Sequence, residues 1–519
     1  MRRSLRLLLA GVAATVMVAS GLPAAADPGE DHSHESHSGP PELPPFTGPS
    51  SENMTLKANS DKDGVVNSDL AFWGNLAFAG NYNGFRILDI SNPRSPKVLS
   101  DYFCHGPQND VSVWKVGRRL VLFQSVDRAQ SKADCDGTAA GSSVDTPLIT
   151  TGPDAGRATF GFEGIRMFDV TDPRNPRFLD AMPTACGSHT HTLIPEPRRQ
   201  RLHLYVSSYP LGSGVTPGSF TGPGPRCASP HQKISIVTVP FRDVRDWSVR
   251  EKALSDDTDV YPGTVPGDPL NPPFKACHDI QVLMKRNIAV GSCAGDTQIW
   301  DISNPANPTT GNGERHTHVR SPSAQDRFEF MHSAVITWDG KYFATMDETG
   351  GGGTAECDGS AEEKGGQSEN GFYYFYKLVR PGDPAPALLS RYMIPRPQGA
   401  QICVSHNANV IPVPHRYVMV AAYYQGGNSI VDFTDPRNPT EIAYSDPEDT
   451  TVGAADSWST YWYNNHVYAN GGLNRRGATA NRGLDVFTVT DDRGRPLRAR
   501  LWHHSNPQTQ EVFQGWGAH

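Results

Sequence analysis

The chain has 519 residues and a formal net charge of −8, from 47 Lys and Arg against 55 Asp and Glu. That acidic balance argues against nucleic acid or an anionic membrane surface as a partner. The 50 glycines and 43 prolines suit many strands joined by tight turns rather than a helical protein, and the length suffices to bury one large core.

Residues 1–26 read as a signal peptide. Arg2, Arg3 and Arg6 precede an apolar stretch, and Ala24-Ala25-Ala26 stands before Asp27, so cleavage is expected after Ala26. Their removal takes the formal charge from −8 to −11. No cysteine marks the cleavage point, and no later stretch reaches the roughly 18 apolar residues of a membrane helix. A secreted, extracellular monomer without a membrane anchor is expected. Residues 27–65 are rich in Pro, Ser and His, with His32, His34 and His37 set among acids, and are expected to be disordered or loosely draped.

From there the chain repeats itself. ILDISNPRSPKVL from Ile87, MFDVTDPRNPRFL from Met167, IWDISNPANPTT from Ile299 and IVDFTDPRNPTEI from Ile430 are near copies. Each is a strand ending in Asp and an apolar residue, then Ser/Thr-Asn/Asp-Pro-x-x-Pro. Proline fixes φ and cannot donate to a ladder, while the Asn or Asp before it closes a turn on its own backbone. Weaker copies begin at Ile234, Phe372 and Leu484. Seven units of short strands, roughly 40–50 residues each where uninterrupted, predict a propeller. The expected fold is all-β, a single seven-bladed β-propeller over residues 66–505, with 506–519 as a C-terminal tail.

In a blade the innermost strand A starts at one face and B returns to it, so the D–A and B–C connections share that face. Long Gly-, Ser- and Pro-rich insertions fall between B and C, at about 127–160, 209–231 and 349–371. Function-bearing loops gather where a rigid scaffold presents them.

Four histidines stand at the start of strand A in blades three to six: His189, His278, His332 and His406. One imidazole per repeat, at one step of the repeat, is how a ring gathers histidines on its axis. Four neutral imidazoles can bind one transition ion and leave positions open, and a set without thiolate leans towards Fe(II) or Cu over Zn. Ligand histidines usually donate their second ring nitrogen to a carboxylate or carbonyl, and Glu163, Asp279, Asp347 and Glu348 are the acids placed to accept. His105, His191, Asn109 and Asp110 are further candidates for the channel mouth. The bland alternative is that each histidine only bonds backbone at a tight D–A turn.

All eight cysteines follow the signal segment, and an even count in an exported chain reads as disulfides. Cys277 and Cys293 flank a hairpin turning near Lys285-Arg286, which sets them opposite each other. Proximity suggests Cys104–Cys135, Cys186–Cys227 and Cys357–Cys403. No Cys-x-x-Cys, nucleophile elbow, P-loop, EF-hand or dinucleotide signature occurs.

The Asp-Ile-Ser-Asn-Pro-x-x-Pro copies resemble the LVIVD-repeat family of secreted bacterial propellers over about residues 66–505. The resemblance implies fold and secretion and is nearly silent on chemistry. In architecture alone the histidine arrangement is similar to the carotenoid-cleaving oxygenases, which hold iron on four histidines, and to the copper-linked propeller selenium-binding protein. Two functions stay open. One is a metal-dependent oxidase or oxygenase of a small or extended organic substrate. The other is a non-catalytic propeller that binds a protein, glycan or cell-wall component at its loop-rich face.

Overall fold

The computed structural model describes residues 50–62, 64–137, 162–209, 230–261, 273–323, 328–348, 371–396, 402–446, 456–472, 482–491 and 493–509. The expected signal peptide, most of the segment 27–65 and residues 510–519 lie outside them. The described strands form seven antiparallel sheets of at least four strands, arranged as a seven-bladed propeller.

From the axis outwards, blade 1 is Asn67–Trp73, Leu76–Asn81, Gly84–Asp89 and Lys97–Phe103, and blade 2 is Gln108–Val116, Arg119–Gln130, Phe162–Asp169 and Arg177–Pro183. Blade 3 is Thr190–Glu196, Arg201–Ser207, Lys233–Pro240 and Ser248–Ala253, and blade 4 is Ile280–Leu283, Ile288–Cys293, Asp296–Asp301 and His316–Val319. Blade 5 is Met331–Ile336, Tyr342–Asp347, Tyr373–Lys377 and Leu388–Tyr392, and blade 6 is Ala408–Ile411, Val418–Ala422, Asn428–Asp432 and Thr440–Ser445. Blade 7 takes Ser457–Tyr463, His466–Gly471 and Gly483–Val489 from one end of the chain and Met54–Ser60 from the other.

That last strand departs from the expected boundary at residue 66. Met54–Ser60 pairs antiparallel with Gly483–Val489, so part of the segment read as draped closes the ring. Its polar neighbours hid the alternation of Met54, Leu56 and Ala58.

The repeat signature ends strand C in each strong copy. Asp89 accepts the Ser91 N–H at 2.9 Å, Asp169 that of Thr171 at 3.0 Å, Asp301 that of Ser303 at 2.7 Å and Asp432 that of Thr434 at 2.8 Å. These side-chain caps precede the proline turn and fix the C–D connection, on the face opposite the start of strand A. The core is the set of contacts between neighbouring blades. Phe85, Val113 and Phe168 pack between blades 1 and 2, and Val335, Phe375, Met419 and Phe433 between blades 5 and 6.

Cys104–Cys135 and Cys277–Cys293 are disulfides. Cys186 and Cys403 are each disulfide-bonded too, while their expected partners Cys227 and Cys357 lie outside the described residues.

The C-terminal segment does more than trail. His504–Ser505 adds a strand inside blade 1, pairing with Phe72 and Trp73 at the end of strand A. Asn506 then accepts the Val113 N–H at 2.9 Å and donates to the Val113 carbonyl at 3.0 Å. The Val282 N–H donates to the Gln508 carbonyl at 2.9 Å, and Thr509 donates to the Leu193 carbonyl. Four inner strands are thus tied by one segment that fills the axis from the face opposite the histidines.

Replacing Asn506 by Ala strands the buried Val113 groups and should lower stability by ~1–3 kcal/mol, read by denaturant unfolding. The plug should also respond to acid. Burial, and then the charge of His503, push His504 down to about 4. The folded ring therefore stays neutral where a released one, near 6.5, takes up a proton. Its contribution is intact above pH 6.5 and is lost as pH falls towards 4. Limited proteolysis of the C-terminal segment should accelerate over that range, and His504→Phe, which can retain stacking on Trp73 (centroids 4.6 Å apart), should flatten the response.

Candidate metal centre

The start of strand A places three of the four histidines by the same local device. The backbone N–H of His189 bonds the Ser207 carbonyl, that of His278 the Ser292 carbonyl and that of His406 the Ala422 carbonyl, at 3.0, 2.7 and 2.9 Å. Each residue sits where strand A of its blade meets the end of strand B. His332 sits in a register shift between Met331 and Ser333, a bulge of the kind that re-aims a side chain. All four are at most 1% exposed.

The rings form an arc. Centroids are 4.5 Å apart for His189 and His278, 3.7 Å for His278 and His332, and 4.3 Å for His332 and His406. Within the arc the polar partners differ. His189 is engaged at both nitrogens: Nδ1 meets the Asp127 carboxylate at 2.8 Å and Nε2 the Gln108 amide at 2.9 Å. His278 Nδ1 lies 3.3 Å from Asp279. His406 Nδ1 donates to the Trp458 carbonyl, which leaves the lone pair of a neutral ring on Nε2.

That lone pair faces Glu348. The carboxylate stands between two rings, with Oε1 3.5 Å from His406 Nε2 and Oε2 3.6 Å from His332 Nε2. Tyr424 donates to Oε1, and Glu348 is fully buried. Two donors about 2.1 Å from one ion at a tetrahedral angle stand about 3.4 Å apart, so the spacing accommodates a cation between carboxylate and rings. Two overlapping groups have ligand atoms mutually within 4.8 Å: His278, Asp279 and His332, and His332, Glu348 and His406. His332 belongs to both. Burial first, and then the neighbouring histidines, drive its pKa well below 6.5, so the ring is neutral, as a ligand must be.

Aromatic side chains wall the arc at both ends. Tyr209, Tyr261, Phe274 and Phe330 pack beside His189 and His278, and Tyr424 and Trp458 beside His406.

The remaining sequence candidates are placed as follows. Glu348 stands between two histidines, a closer role than orienting one of them. Asp279 Oδ1 approaches His278 Nδ1 to 3.3 Å. Asp347 instead accepts the N–H groups of Glu329 and Phe330, each at 2.9 Å, and so holds the chain entering blade 5. Glu163 stands behind Asp127, raised to about 8 by burial and by that neighbour's charge. His191 is locked between blades 2 and 3, its ring nitrogens meeting Ser112 and Ser125 at 2.7 and 2.8 Å. Asp110 accepts the His191 N–H at 2.6 Å. Asn109 donates to the Gly84 carbonyl at 3.1 Å, holding blade 1 to blade 2, and half-buried His105 meets Gln130 at 2.8 Å. Asp127, Gln108 and Tyr424 were not singled out from the sequence.

The fold and the repeat together define the class: a seven-bladed β-propeller in which blades 1, 2, 4 and 6 end strand C in an Asp-capped proline turn. The model of the LVIVD repeat matches residues 67–103, the first blade, which supports reading the ring as a propeller of that repeat. No curated protein matches it. A functionally unknown protein from Desulfotomaculum acetoxidans is similar at 9% identity and a TM-score of 0.41, over 82% of this chain and 90% of that one. A putative 6-phosphogluconolactonase from Bacteroides uniformis is similar at 10% identity and a TM-score of 0.44, over 85% and 99%.

The unequal engagement of the rings predicts unequal mutants. His332→Ala should weaken metal binding at least 100-fold, on the order of the largest effects at supporting positions. His189→Ala, whose nitrogens already serve Asp127 and Gln108, should weaken it by less than about tenfold. Competition titration with a chromophoric chelator ranks them.

Proposed function

We propose that the axial arc holds one transition-metal ion, ligated by His332, His406 and Glu348 with His278 alongside, and that the protein is an extracellular metal-dependent oxidase or oxygenase of an organic substrate. The observation that carries this reading is the Glu348 carboxylate held between His332 Nε2 and His406 Nε2. Two imidazoles and one carboxylate with further positions open form the donor set of non-haem Fe(II) oxygenases. That set favours Fe(II), with Cu as the next choice. Such an ion would supply dioxygen activation or one-electron chemistry beside the bound substrate.

The chain's own residues do the rest. Trp458 fixes the His406 tautomer by accepting from Nδ1, and Tyr424 holds one Glu348 oxygen in place. The aromatic walls exclude water and offer an apolar lining to an organic substrate. The C-terminal plug fills the opposite end of the axis, so a substrate enters from the face where the B–C insertions begin and end. The disulfides suit an oxidising compartment, in keeping with export after Ala26.

Burial supports a second reading. With all four rings at most 1% exposed, the same ion would serve as a clamp joining blades 4 to 6 in a non-catalytic propeller, and the loop face would bind a protein, glycan or cell-wall ligand.

Metal analysis of protein purified without chelator should find about one equivalent of iron or copper at this centre, and Glu348→Gln should reduce its retention on dialysis 10–100-fold with the fold intact by circular dichroism. Equal retention in wild type and Glu348→Gln would refute the ligand set. Dioxygen uptake in the reduced, loaded protein separates the readings, since a structural clamp consumes none.

A further inference from the structure

A second histidine cluster lies on the outer rim of blade 4, away from the axis. His316 and His318 alternate on the outermost strand and therefore share a face. Their rings stand 4.7 Å apart, and both Nε2 atoms approach one oxygen: Asp257 Oδ1 lies 3.2 Å from His318 and 3.8 Å from His316. Asp257 comes from the chain leading from blade 3 into blade 4. The three ligand atoms all fall within 4.8 Å of one another.

The tautomer of His318 is set from behind. Its Nδ1 lies 2.5 Å from the buried Asp296 carboxylate. That carboxylate also accepts from Gln298 at 3.0 Å and from the Asp259 N–H at 3.4 Å, so it is a fully engaged acceptor. With Nδ1–H donated, a neutral ring carries its lone pair on Nε2. That atom is buried and makes no hydrogen bond among the described residues, yet it faces a carboxylate oxygen at 3.2 Å. Two acceptors aimed at each other at that distance repel unless a proton or a metal ion lies between them, and the second ring nearby, His316, approaches the same oxygen and makes a metal ion the occupant that all three ligand atoms can share. A carboxylate behind one histidine nitrogen and an open lone pair at the other is the arrangement that ligating histidines adopt.

Two other groups touch Asp257. Ser255 donates to Oδ1, and Arg320 lies 3.7 Å from Oδ2 while bonding Asp259 at 2.9 Å. The guanidinium takes the outer oxygen and leaves Oδ1 turned to the rings.

We propose that His316, His318 and Asp257 form a second metal site, for a divalent ion of the zinc class, with Asp296 as the positioning residue behind His318. Two imidazoles and one carboxylate leave a fourth position for water. The ion ties the connection between blades 3 and 4 to the outer edge of blade 4, at a place where the sheet ladder does not reach. It needs none of the axial residues.

The test is Zn²⁺ alone, titrated into the full-length protein against a chromophoric competitor. To separate the two sites, the titration is run in His278→Ala/His332→Ala protein, with and without His316→Ala/His318→Ala. One equivalent should remain in the axial variant and disappear in the quadruple variant. Asp296→Asn, which keeps all three ligands, should weaken that equivalent 10–100-fold. If the axial variant fails to fold, wild type is compared with His316→Ala/His318→Ala, which should bind one equivalent fewer with an unchanged circular dichroism spectrum. Superimposable titrations with and without His316 and His318 overturn the proposal, whatever the axial centre binds.

Discussion

Seven sheets packed face to face must close into a ring, and everything functional here depends on that closure. Each blade buries its apolar faces only against its two neighbours, so a ring left open exposes two faces at once. The chain closes it twice. Met54–Ser60 completes blade 7 at the rim, and residues 504–509 bind inner strands of blades 1, 2, 3 and 4 at the axis. The rim closure is a ladder of backbone bonds. The axial closure rests on amide side chains such as Asn506, which satisfies a donor and an acceptor that an inner strand, having no further neighbour, would leave bare.

Closure also turns a linear repeat into a site. Residues about a blade apart become neighbours when they occupy the same step of strand A, which is why His189, His278, His332 and His406 meet in an arc. That much was legible, because the step is marked in the sequence by the alternating strand after each histidine and by the repeat copies, strong or weak, between them. The Cys277–Cys293 bridge was legible for a similar reason, since a hairpin fixes its own geometry locally.

The rest depends on contacts between blades that no single repeat encodes. Asp127 holds His189 across 62 positions of sequence and from the preceding blade, and nothing around it in VLFQSVDRAQ sets it apart. Glu348 follows strand B of blade 5 and reaches both its own blade's His332 and the next blade's His406. The sequence marked it as an acid near the site without showing that it lies between two rings. His191 stands two residues past His189, yet two serines of blade 2 take its nitrogens. The C-terminal segment has no apolar period to announce a strand, because its bonds run through backbone and amide groups.

The charges further down the channel bear on why a cation suits this axis. Asp69, Asp110 and Asp279 come from the inner strands of blades 1, 2 and 4 or their first residues, and each is at most 3% exposed. Burial, and then the charge of Asp69, raise Asp110 well above the ordinary carboxylate range, while burial raises Asp69. Gln508 of the plug meets Asp69 at 3.2 Å but brings no positive charge. Among the described residues no Lys or Arg contacts these acids, and burial keeps the nearby His332 ring neutral. A carboxyl so raised relieves that crowding by holding its proton; a divalent ion at the histidine arc, as proposed, would favour the ionised form instead, whereas protonating His332 would place a single charge among three other imidazoles with much weaker compensation.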